Sequence, residues 1–257
     1  MVRGTPTSFV VGAGTDLDQR AVERREEPAL HAHDGVRPPL LTSLEARRSS
    51  QRLREARMIK LYHAQFTRSI RILWLLEELG IPYELATVAF KPPRHSFEQA
   101  TPTGKFPAIE DDGLVLFESG AILEYLIEKF GNGRLAPAVG SPDRGPYLQW
   151  VHFAEATAFP PIGDIARHTM FLPEAERIPQ VADDGRVRAK NALAVLEHGL
   201  AGKEYLVGRE LSGADIMMGY FLMAARTFGV VGAEHPNVSA YWERLAARPG
   251  FQKALSA

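Results

Sequence analysis

Residues 106–119 read Phe106-Pro107-Ala108-Ile109-Glu110-Asp111-Asp112-Gly113-Leu114-Val115-Leu116-Phe117-Glu118-Ser119, and the fold turns on how this stretch is read. Asp112-Gly113 between two short apolar runs is a hairpin signal, because the tight turn needs positive φ at residues that tolerate it. Ser119 then opens a segment with Ile122, Leu123, Leu126, Ile127 and Phe130 at helical spacing, closed by Gly131. Working backward, residues 94–101 form a short irregular or helical piece bounded by Pro102 and Gly104, and Tyr83 to Phe90 is a strand ended by Pro92-Pro93. Earlier still, Ile72, Leu75, Leu76 and Leu79 make a helix stopped by Gly80 and Pro82, and Ile59-Lys60-Leu61-Tyr62 is a first strand. The order is βαβαββα.

Working forward from the hairpin, Pro137, Gly140, Ser141 and Pro142 make a compact linker. Beyond it strand signals vanish, and amphipathic segments run over 143–171, 174–201, 213–228, 237–247 and a short tail. The expected fold class is therefore α/β plus all-α: a βαβαββα domain over 58–137 and an all-helical domain over 142–257. Ser212-x-x-Asp215 has capping-box spacing, and the structural reading suffices for it.

The chain has 257 residues, of which 45% are hydrophobic and 24% charged. Its 30 Lys and Arg against 31 Asp and Glu give a net charge of −1, so no basic field favours nucleic acid or an anionic membrane. With no cysteine, the chain has no disulfides, no thiolate metal sites and no nucleophilic thiol of its own. No run of about 18 apolar residues suggests a membrane span. The expectation is a cytoplasmic protein. Residues 1–57 hold ten Arg, eight acids, no Lys and one aromatic, Phe9, too little apolar surface to offset ordering entropy, so they read as a disordered extension. Within it, Gly12-Ala13-Gly14 lacks the third glycine of a dinucleotide loop, and His31, His33 and Asp34 lack the supporting shell a metal needs. No metal site is expected. Met58, just before the first strand, is read as a possible translation start.

Gly104-Lys105-Phe106-Pro107, then Glu118-Ser119, with Leu73-Trp74-Leu75-Leu76-Glu77-Glu78-Leu79-Gly80 before and Leu211-Ser212-Gly213-Ala214-Asp215-Ile216 after, resembles the cytosolic glutathione S-transferases over residues 58–257. The resemblance implies a thioredoxin-like first domain, glutathione as co-substrate with no permanently bound cofactor, a small electrophilic molecule as second substrate, and a homodimer. It also implies that Pro107 is cis and that the Phe106 backbone pairs with the cysteinyl part of glutathione. By the same resemblance the γ-glutamyl carboxylate lies at the Ser119 hydroxyl and helix N-terminus, with the ligand amino group at Glu118. Lys105, and then Lys91 or His95, are candidates for the glycyl carboxylate.

The activating hydroxyl is expected in the loop His63-Ala64-Gln65-Phe66-Thr67-Arg68-Ser69. In the theta-like serine classes of that family the hydroxyl lies five residues after the strand tyrosine and four before the helix arginine. Tyr62 and Arg71 then select Thr67, with Ser69 the alternative and Tyr62 a strand residue. Either hydroxyl could instead simply cap the helix. Phe66, Phe159, Met170 and Phe171 are expected walls of the electrophile pocket, whereas His152, Glu155 and His168 read as surface polar residues. The function implied is a glutathione transferase. A glutathione-dependent disulfide or peroxide reductase, or a non-catalytic binding module on the same fold, is the alternative.

Overall fold

The computed structural model describes residues 58–90, 97–98 and 101–257. The readings made on residues 1–57, Lys91 and His95 lie outside them. Strand β1 (Ile59–His63), helix α1 (Ser69–Leu79), β2 (Tyr83–Thr87), β3 (Ala108–Asp111), β4 (Leu114–Phe117) and α2 (Ser119–Phe130) make the first lobe. Phe97 and Glu98 are helical between β2 and β3. The sheet order is β2-β1-β3-β4, with β1 and β2 parallel and β3 antiparallel to both β1 and β4. This is a thioredoxin-like arrangement. The hairpin turns at Asp112 (φ 50°) and Gly113 (φ 83°), the two positive-φ residues such a turn demands.

The second lobe carries α3 (Arg144–Phe153), α4 (Phe159–Ala166), α5 (Pro179–Gly199), α6 (Gly213–Thr227), α7 (Pro236–Ala246) and α8 (Pro249–Ser256). The segment expected as one helix over 143–171 is interrupted by two π-turns, Ala154–Ala158 and Arg167–Phe171, on either side of α4. Pro160 and Pro161 explain the first: neither has an N–H to continue the α ladder. The chain closes a wider ring instead, with Phe159 N–H on the Ala154 carbonyl.

Helix α1 joins the lobes. Ile70, Ile72, Leu73, Trp74, Leu75 and Leu76 are all essentially inaccessible, because one side of α1 covers the sheet while the other meets α6 and α8. Trp74 packs so closely on α6 that a Cβ at Gly219 would lie 2.7 Å from its ring. The Trp74 ring also lies 4.4 Å from that of Phe251 on α8. Gly80 ends α1 at φ 69°, donating to Glu77 O. On the sheet's other face Tyr62, Ala64, Phe97, Phe106 and Ala108 form a small second core. The capping box also forms: the buried Asp215 carboxylate accepts from Ser212 N–H at 2.8 Å, Ser212 Oγ at 2.7 Å, Leu206 N–H at 2.9 Å and Tyr241 Oη at 2.7 Å.

Candidate functional site

Strand registers assemble the site. Tyr62 faces Ala108 across β1 and β3, and Ala108 faces Phe117 across β3 and β4. One step further along each strand, His63, Pro107 and Glu118 come side by side at one end of the sheet. The Phe106–Pro107 bond there is cis. The Phe106 ring is turned into the second core, stacked 4.1 Å from Phe97. Glu118 sits at φ 71°, ψ 111°, and its side chain is exposed. A non-glycine residue held at positive φ is a strained conformation of the kind that collects at binding sites.

Ser119 is buried, and it is the first residue of α2 rather than its cap; Glu118 holds the cap position, and no side chain caps this helix. The Ser119 hydroxyl instead accepts a hydrogen bond from Arg71 Nη1 at 2.9 Å. Arg71 is wholly buried; its Nε donates to Met217 O at 3.2 Å and its Nη1 pairs with Glu155 Oε2. Glu155 Oε1 pairs in turn with Arg68 Nη2 at 2.7 Å. Glu155 is therefore not a surface polar residue. The first π-turn carries it to the lobe boundary, between two guanidinium groups. Burial pushes its carboxyl pKa up, but Arg71 and Arg68 outweigh that and hold it below the usual carboxylate range. Two cations against one anion leave the site floor with one positive charge in excess. That charge, beside an uncapped helix N-terminus, favours an anionic ligand. Arg71 Nη2 is buried without a hydrogen-bond partner, while the guanidinium lies 5.0 Å from the Tyr220 ring centroid.

In the β1–α1 loop, Phe66 lies at φ 62°, the residue 73% exposed and its carbonyl accepting from Tyr220 Oη at 3.0 Å. An aromatic residue in the left-handed region is unusual, and here Tyr220 fixes it. Thr67 is half-buried; its Oγ1 donates to Ala64 O at 2.7 Å and lies 2.7 Å from Ser69 Oγ. Ser69 is wholly buried, 2.9 Å from His63 Nδ1. Of the two residues, Thr67 is the one that is partly exposed. Arg68 holds the cap position of α1, and Thr67 Oγ1 accepts weakly from the helix's first N–H, that of Ser69, at 3.4 Å. Tyr62 is a strand residue bonded to Glu110, its pKa pushed up to about 12 by burial and by that carboxylate.

Lys105 is exposed. Met170 and Phe171 are also exposed, on the second π-turn, and the Phe171 ring meets that of Phe90 at 5.7 Å. Phe159 differs from the expectation: it is 7% exposed, with Arg68 Cζ 4.0 Å above its ring and Tyr220 stacked at 5.3 Å. It supports the arginines instead of lining an open wall. Phe90 is the apolar residue that sequence reading missed, since it stood as the last residue of a strand. Among the described residues no cluster of His, Asp or Glu could hold a metal ion, and no helix is long and apolar enough to cross a membrane.

A thioredoxin-like lobe with a cis-proline edge and an arginine-floored anion cradle, joined to a helical lobe, defines the class to which this chain's relatives also belong. Residues 57–128 match the glutathione S-transferase N-terminal domain and residues 158–249 the C-terminal domain of the same family. Glutathione S-transferase 3 of Schizosaccharomyces pombe is 30% identical over 213 residues, covering 77% of this chain and 86% of that one. A sphingomonad glutathione S-transferase solved with glutathione is 29% identical at TM-score 0.68, covering 77% of this chain and 97% of that one. Ure2p5 from Phanerochaete chrysosporium, crystallised with 1-(S-glutathionyl)-2,4-dinitrobenzene, is 25% identical at TM-score 0.69, covering 78% and 94%. The chain is a member of the glutathione S-transferase family.

Proposed function

We propose that the protein is a glutathione transferase in which Thr67 stabilises the glutathione thiolate for attack on an electrophilic carbon. The observation that carries this reading is Arg71: buried on α1, it holds Ser119 at the start of α2 while Thr67 stands one turn before it, so one helix serves both ends of a γ-glutamyl-cysteinyl ligand. In this reading Ser119 and the α2 N-terminus take the γ-glutamyl carboxylate, Glu118 takes the ammonium, and the Phe106 backbone beside cis-Pro107 pairs with the cysteinyl unit. The exposed Lys105 takes the glycyl carboxylate, a role also proposed for Lys91 or His95. Because Arg71 donates to the Ser119 oxygen, the hydroxyl proton is turned away from the guanidinium and toward the ligand.

A hydroxyl donating to a thiolate makes a charge-assisted hydrogen bond worth about 1.5–3 kcal/mol, which at 1.36 kcal/mol per unit lowers a thiol pKa near 8.5 by roughly one to two units. Phe66, Met170 and Phe171, extended by Phe90, then receive the electrophile. Glutathione is a co-substrate and no bound cofactor is invoked. The working protein is a cytoplasmic homodimer of the domains at 58–137 and 142–257, and a chain starting at Met58 retains full activity.

Thr67→Ala tests this. It should raise the kinetic pKa of bound glutathione by about one to two units and lower kcat, with affinity by calorimetry nearly unchanged. A chloronitrobenzene acceptor and a mixed glutathione disulfide, assayed in parallel, separate transfer to carbon from disulfide reduction. Glutathione binding without turnover of either substrate would indicate a binding module.

A further inference from the structure

The hydroxyls of Thr67 and Ser69 and the imidazole of His63 form a continuous hydrogen-bonded row, and counting its protons fixes its direction. Thr67 Oγ1 is 2.7 Å from Ala64 O. A carbonyl cannot donate, so the Thr67 proton lies in that bond. Thr67 N–H also reaches Ala64 O, at 3.2 Å, which fills both lone pairs of this carbonyl. Ser69 Oγ is then better placed to donate to Thr67 Oγ1 at 2.7 Å than to Ala64 O at 3.2 Å. With its proton spent on Thr67, Ser69 must accept from His63 Nδ1 at 2.9 Å, and it also accepts weakly from Ala64 N–H at 3.4 Å. His63 therefore carries its proton on Nδ1. Its Nε2, buried and without a partner, is left as a bare acceptor, which is a lesser omission than a buried orphan N–H.

We infer that His63 is a positioning residue for the thiolate site: through Ser69 it supplies a donor chain of fixed direction that ends at the Thr67 hydroxyl. This rests on the reading of Thr67 as the thiolate partner. When glutathione binds, the Thr67 proton moves from Ala64 O to the sulfur, Ala64 O keeps the Thr67 N–H, and His63 N–H to Ser69 O–H to Thr67 O–H all point toward the negative charge. Hydrogen bonds aligned head to tail polarise one another, which strengthens the terminal bond. The thiol proton leaves to solvent, and neither His63 nor Ser69 changes protonation. Burial pushes the imidazole pKa down, and the backbone of Ala257 opposes this.

The experiment titrates the thiolate absorbance of bound glutathione in the full-length protein and in Thr67→Ala, Ser69→Ala, His63→Leu and His63→Asn, with each fold checked by circular dichroism. Ser69→Ala and His63→Leu should each lower the thiolate fraction at neutral pH by about two- to five-fold, as expected for loss of cooperative strengthening. His63→Asn, whose amide N–H stands near the Nδ1 position, should restore it. In the Thr67→Ala background His63→Leu should have no further effect. An additive effect there, or Asn behaving like Leu, overturns the inference. A null effect of Thr67→Ala itself instead overturns the reading on which it rests. Should His63→Leu not fold, ¹⁵N spectra of histidine-labelled wild-type protein, assigned with His63→Asn, decide the matter: a proton on Nδ1 supports the chain, and a proton on Nε2 refutes it.

Discussion

Two arginine–glutamate pairs tie α1 to the helical lobe, one at each end, and they are built differently. Near the C-terminal end, Arg248 grips Glu78 with Nε and Nη2, both at 2.7 Å, and Trp74 Nε1 adds a third donor at 2.8 Å. That pair is bidentate and its carboxylate is fully used. At the N-terminal end, Arg71 divides its donors among Met217 O, Ser119 Oγ and Glu155, and keeps one nitrogen unpartnered. Glu155 in turn divides itself between Arg71 and Arg68. The difference separates a clip from a hub: the first pair satisfies its own valences, whereas the second spreads them over α6, the start of α2 and the first π-turn.

The comparison can be broken most decisively at Arg71. Arg71→Met leaves Glu155 short of a partner at a buried boundary and should cost about 3–5 kcal/mol of stability. Glutathione binding should be lost with it, as measured by denaturant unfolding and calorimetry. Equal glutathione affinity in a folded variant would remove the floor from the site. Arg248→Met, at the partly exposed clip, should cost about 1–2 kcal/mol, with turnover per folded molecule unchanged. Ser119→Ala sharpens the contrast, because it removes only the member proposed to meet the ligand. Glutathione affinity should fall about tenfold, which is ~1.4 kcal/mol, while the unfolding midpoint moves little. The smallest effect is in pH dependence. His63 has a folded pKa below the ordinary 6.5, so the unfolded chain takes up a proton near pH 6.5 before the folded one does. Stability due to this group is complete above that pH and declines as pH falls below it. His63→Asn should flatten the acid limb of the unfolding midpoint against pH.

Features encoded by neighbouring residues were readable from sequence. The Asp112-Gly113 turn, the capping box at Ser212 and Asp215, and the Gly80 stop each depend on residues within a turn of one another. Glu155 was not readable, because its partner Arg71 is 84 positions away and its spacing from His152 looked like a solvated helix face. The π-turn that reorients it comes from prolines five and six residues further on. Phe159 illustrates the same limit: apolarity placed it near the site, but only packing shows that its ring lies beneath Arg68. Ser69 and Thr67, two residues apart, were equivalent candidates on paper, and burial separates them.

The π-turn at Ala154–Ala158 also has a genetic meaning. It holds one residue more than the α-helix would need, so losing a single codon between 156 and 158 would return this stretch to α-helical register, with Pro160 and Pro161 still unable to donate to it. Each residue of an α-helix turns the chain by about 100° and advances it 1.5 Å. That deletion would leave Glu155 on the near side of the change while rotating everything beyond it, including Phe159 beneath Arg68 and the exposed Met170 and Phe171. The arginine cluster proposed to lie under one substrate and the apolar rim proposed for the other are thus related by a residue count. One in-frame deletion in this stretch would re-aim that proposed rim and withdraw the Phe159 ring from Arg68 in the same step.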